Sequence, residues 1–187
     1  MRVIKSVVTT DAILTSSNIP EDEYPAWVSG TSYTALDKVI YEHKIYERIV
    51  TGTGTTAPDL DQVNWLDSGY TNRYRMFDNT MSSVSSQTGG IEFTLTPNQV
   101  VNGIALLNVN ASTVRVVMND PVEGVVYDRT KELRSSSNVT DYYSYFFAPL
   151  INLGDLDTAI FLDLPNKPTA TITVYVSSGV GLVEVGE

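Results

Sequence analysis

The chain contains no cysteine, which excludes disulfide staples and thiolate metal sites together. It has one histidine, His43, so a histidine base or a histidine-rich metal site has a single side chain to draw on. Basic residues are few. The 12 Lys and Arg against 22 Asp and Glu give a formal net charge of −10, which argues against a protein that tracks nucleic-acid phosphates. An acidic balance of this kind suits solubility, or assembly against basic partner surfaces. No apolar run approaches the ~18 residues of a membrane-spanning helix, so membrane insertion is not expected. The opening Met1-Arg2-Val3-Ile4-Lys5-Ser6-Val7-Val8 lacks a sustained apolar stretch and a small-residue cleavage site. It reads as a strand or extended arm rather than a signal peptide. Helix-forming runs of Ala, Leu, Glu and Lys are scarce. No Gly-x-Ser-x-Gly elbow is present, and the run from Asp59 to Asn64 lacks the Gly and trailing Glu of an EF-hand loop. The chain is therefore read as a non-enzyme without cofactor or metal, with His43 an exposed turn residue and the pairs Asp59/Asp61 and Asp155/Asp157 turn or strand-end aspartates.

What the chain does have is Thr, Ser, Val and Tyr, with 42% hydrophobic and 18% charged residues. That composition describes a folded all-β protein. Its densest feature is an aromatic cassette over residues 24–68, with both tryptophans at its ends. It opens on Tyr24-Pro25-Ala26-Trp27 and continues through Tyr33. Two alternating strands follow, Lys38 to Tyr41 and Lys44 to Ile49, around a turn at Glu42-His43. A Thr/Gly loop from Thr51 to Thr56, then Ala57-Pro58 and Trp65, complete it. So small a unit buries little, so large rings must supply most of its apolar area. The same rings, Trp27, Tyr33, Tyr41, Tyr46 and Trp65, are candidates to stack on sugar C–H faces. Tyr41 is out of phase with Ile40 and is expected to face solvent.

Residues 1–23 read as an N-terminal docking arm and linker, with a helical turn at Thr9 to Leu14 capped by Thr10 or Asp11. Residues 69–187 have a separate strand rhythm with frequent turn signals, which predicts an antiparallel jelly-roll-type β-sandwich. Ile91 to Leu95 alternates strictly, whereas Val101 to Val109 is nearly all apolar and is expected to be buried on both faces. Tyr142, Tyr143, Tyr145, Phe146 and Phe147 place five aromatics within a few residues. Strand side chains alternate faces, so they cannot all enter one sheet's core, and a protein interface is expected there.

The pattern Trp27, Tyr33, Val39-Ile40-Tyr41, Tyr46, Pro58, Trp65 resembles chitin-binding-type carbohydrate modules. Asn72-Arg73-Tyr74-Arg75-Met76-Phe77-Asp78 follows it, and the apolar pair Ile104 to Val109 and Thr113 to Met118 comes later. This order, with Met1 to Lys5 and the Ile19-Pro20-Glu21 approach to Trp27, is similar to tailed-bacteriophage virion proteins. In those proteins a chitin-binding-like module precedes a galactose-binding-like β-sandwich. The resemblance implies a structural component of the tail or fibre-attachment region, assembled in the bacterial host cytoplasm. Its implied partners are other virion proteins in a symmetric homo-oligomer. Two further readings are a host-glycan-binding adhesin that takes surface polysaccharide, and an accessory domain of a polysaccharide-degrading enzyme.

Overall fold

Along Thr113–Asp120, residues Val114, Val116 and Met118 are fully buried while Arg115 between them is exposed. That period of two puts one face of the strand in a core. The same rule holds for Ile172, Val174 and Val176, for Ile91 and Phe93, and for Val183 and Val185. The computed structural model describes residues 7–78, 80, 82–134, 142–147, 157–179 and 181–186, with only the backbone of Ser144 and Tyr145. It is all-β and sandwich-type, with antiparallel sheets.

Two compact units divide the chain, one of residues 1–18 with 86–185 and the other essentially residues 19–85. Strand β1 (Leu14–Ser17) belongs to the larger unit. The smaller unit holds β2 (Ser32–Tyr33), β3 (Lys38–Tyr41), β4 (Lys44–Arg48), β5 (Gly52–Thr53) and β6 (Trp65–Tyr70). Then come β7 (Val84–Thr88), β8 (Ile91–Leu95), β9 (Ile104–Asn110), β10 (Thr113–Asp120) and β11 (Gly124–Glu132). A short helix, α1 (Tyr142–Phe147), precedes β12 (Ala159–Phe161), β13 (Thr171–Ser177) and β14 (Leu182–Gly186).

One sheet has the order β1-β8-β13-β10-β11 and the other β12-β9-β14-β7. Strands β7 to β10 alternate between the two sheets, β10 and β11 form a hairpin, and β12 to β14 alternate again. This nesting of early strands against late ones is an eight-stranded jelly roll, with β1 added outside β8.

Several boundaries differ from the sequence reading. The expected arm over 1–23 divides instead. Leu14, Ser16 and Ser17 pair with Leu95, Thr94 and Phe93 of β8, whereas the segment from Ile19 joins the smaller unit, and residues 1–6 lie outside the described residues. The smaller unit therefore runs beyond 24–68 at both ends. The helical turn does form, with the Leu14 and Ile13 N–H groups donating to Thr10 O at 2.8 Å. Strand β9 is buried on one face only: Leu106 and Val109 face the core while Ala105 and Leu107 are exposed. The cause is Asn108, whose φ of 51° breaks the alternation so that residues three apart share a face.

At the hairpin end of the larger unit, Tyr127 donates its hydroxyl proton to Asp163 Oδ1 at 2.6 Å. Burial, that hydrogen bond and the Asp163 charge push the phenol up to about 12. Its folded pKa lies above the ~10 of an unfolded tyrosine. The contribution to stability is therefore complete below about pH 10 and lost as pH rises through 12. In an ultraviolet titration, Tyr127 is expected to ionise later than the other described tyrosines, and Tyr127→Phe should remove that last step.

Candidate functional site

The centre of the smaller unit is a cluster of Val39, Tyr46 and Trp65, all at most 5% exposed, with Trp27, Tyr33 and Tyr41 packed around it. Pairing of β4 with both β3 and β6 brings these residues together: Val39 lies opposite Tyr46, and Arg48 opposite Trp65. Tyr33 meets the Trp65 ring edge-on at 5.2 Å, and Trp27 meets Tyr41 edge-on at 5.4 Å. The Tyr33 hydroxyl accepts the Val28 N–H at 2.8 Å, so its polar end is used within the unit. Arg48, also buried, lays its guanidinium 4.9 Å from the Trp65 ring centre and donates from Nε to Val50 O. Burial followed by the Asp67 charge raises the Tyr46 phenol.

Of the five candidate sugar-stacking rings, the structure thus commits Tyr46 and Trp65 to the core and holds Tyr33 against it. Trp27 and Tyr41 border an open groove of about 390 Å³, together with Tyr24, Glu21, Glu42 and His43. Tyr41 is half-buried against Trp27 rather than free in solvent. Burial, then the Glu42 and Asp59 carboxylates, raise its phenol. The Trp27 indole N–H has no hydrogen-bond partner among the described residues.

The β3–β4 turn forms one rim of that groove. Glu42 and His43 both have positive φ, 46° and 63°, the geometry of a tight two-residue hairpin that Asn and Gly adopt most readily. His43 is held there by a staple around Glu21. Its carboxylate accepts from His43 Nδ1 at 2.9 and 3.1 Å and from Thr71 Oγ1 at 2.7 Å, with Arg73 Nη1 at 3.8 Å. The His43 ring stacks on Tyr74 at 4.0 Å, and Arg73 Nε donates to Ile19 O at 2.7 Å. His43 is therefore an anchored structural residue, not the bare turn residue the sequence suggested. Glu21 gave no pattern of its own, because its partner Thr71 lies fifty residues on.

The second aromatic candidate takes another form. Tyr142–Phe147 is a helix, so residues four apart share a face, and Tyr142 meets Phe146 at 4.9 Å while Tyr143 meets Phe147 at 4.8 Å. These four rings are 81, 58, 72 and 70% exposed in that order. The Tyr145 side chain lies outside the described residues. No group of three or more potential metal ligands occurs among the described residues. Asp61 instead accepts from Asn64 Nδ2, and Asp155 is outside them. Set against known proteins, the chain matches no family model and no curated sequence.

Proposed function

We propose that this protein is a structural component of a tailed-bacteriophage virion, in the tail or fibre-attachment region, that acts by assembling with other subunits. The observation that carries the reading is the exposed aromatic helix Tyr142–Phe147. Four large rings standing in water together on one short helix support a surface that another protein covers. Two features support it. Trp65 and Tyr46 are consumed by the module's own core, which supports the cassette's role as a folding unit. The net charge of −10 keeps separate copies apart until such a surface brings them together. In sedimentation velocity the chain is expected to form a discrete homo-oligomer, and Tyr143→Ser/Phe147→Ser to reduce it to monomers with an unchanged circular-dichroism spectrum. A wild-type chain that stays monomeric at high concentration would refute the assembly reading.

The groove favours a second reading, binding of host-surface polysaccharide. Trp27 and Tyr41 supply ring faces there, and Glu42 supplies a polar group that could orient hydroxyls. On this reading Trp27→Ala abolishes sedimentation with host polysaccharide while the fold survives. Equal retention of wild type and variant, or of neither, rejects it.

A further inference from the structure

Of the chain's twelve asparagines, only Asn102 precedes a glycine. The distinction is chemical. A backbone nitrogen can attack the side-chain carbonyl of the asparagine before it, and the side chain of the attacking residue ordinarily obstructs that approach. Glycine has none. Residues 101–103 have no regular secondary structure, and Asn102 is exposed. Among the described residues, no hydrogen bond outside the sheets takes up the Gly103 N–H. The Asn102 amide makes one long bond among the described residues, Nδ2 donating to Asn166 Oδ1 at 3.3 Å.

Packing also fixes the glycine. A Cβ at position 103 would stand 2.9 Å from the Phe161 carbonyl oxygen and 3.0 Å from Leu162 Cδ2. The first of these is backbone and cannot swing away, so the contact between β9 and β12 requires glycine here.

We propose that Asn102 is a site of spontaneous deamidation, a built-in age mark on the jelly roll. The Gly103 nitrogen loses its proton and attacks Asn102 Cγ. The new C–N bond forms as the Cγ–Nδ2 bond breaks, and ammonia leaves with the proton. Water then opens the resulting succinimide at either carbonyl to give aspartate or isoaspartate, with no oxidant or reductant involved. Each product adds a negative charge opposite Asn166. The isoaspartate also lengthens the main chain by one methylene directly before β9, where Ile104 pairs with Phe161 of the three-residue edge strand β12. The expected consequence is loosening confined to that edge.

The test is peptide mapping by mass spectrometry of the full chain, aged at neutral and mildly alkaline pH, with enzymatic methylation to count isoaspartate. Asn102 should convert ahead of the other asparagines, give both products and react faster at higher pH. Because residues 101–103 lie outside the strands and Asn102 is exposed, the folded rate should lie within about tenfold of that in urea. Asn102→Gln should abolish the modification without loss of stability. Asn102→Asp, as one product, should raise hydrogen exchange at β12 but not at β13. An intact Asn102 while another asparagine converts, an aspartate product without isoaspartate, or a folded chain protected far beyond tenfold would each overturn the proposal.

Discussion

Trp65→Ala is expected to unfold the smaller unit, at a cost of about 3–5 kcal/mol, the range for removing a large buried ring. Trp65 is 2% exposed and touches Tyr33 edge-on, the Arg48 guanidinium face-on and the Val39/Tyr46 cluster. A unit of this size has little other apolar area with which to absorb the cavity. Arg48 suffers as well, because its buried guanidinium loses the ring it lies over and gains no acceptor; its Nη1 already has none among the described residues. Urea titration followed by the remaining Trp27 fluorescence measures the loss. A variant less than about 1 kcal/mol weaker than wild type would show that the ring is not part of the core.

Glu21→Gln is expected to cost about 1.5–3 kcal/mol, the range for hydrogen bonds to a charged group. The carboxylate accepts from both His43 and Thr71 and faces Arg73, while only 14% of its side chain is exposed. An ionised carboxylate is an acceptor throughout, whereas the amide turns a donor toward one of these partners. The segment from Ile19 to Glu23 contributes no strand to the smaller unit, so its attachment rests on such side-chain contacts. Hydrogen exchange at Ile19 and at the His43 turn should rise together in the variant. Glu42→Gln at the neighbouring turn position is the control, and unchanged exchange in both would contradict the staple.

The two cases mark what a reader of the sequence can and cannot see. Strict alternation at Ile91 to Leu95 and at Val114 to Met118 transmits burial directly, and the jelly-roll expectation followed from such local patterns. The aromatic cassette announced its rings but not their roles, because core and platform rings have the same composition. Only pairing register, which places Trp65 opposite Arg48 and Tyr46 opposite Val39, separates them. The boundary at Ile19 was hidden for a related reason: Ile19 to Glu23 resembles a polar linker, and its partners Thr71 and Arg73 lie some fifty residues on. The mistaken two-sided burial of β9 rests on one residue, Asn108, whose positive φ no hydropathy pattern records. Tyr142–Phe147 misled because its aromatics favour strands, while a helix lets residues four apart stack.

The most direct test of the claim that the cassette's rings hold the unit together uses the fact that the chain has only two tryptophans. In a Trp27→Phe variant, the emission of Trp65 alone should be blue-shifted, resistant to acrylamide and unchanged by host polysaccharide. Ready quenching of Trp65 by acrylamide, relieved when polysaccharide is added, would contradict the account and make the ring part of a binding face.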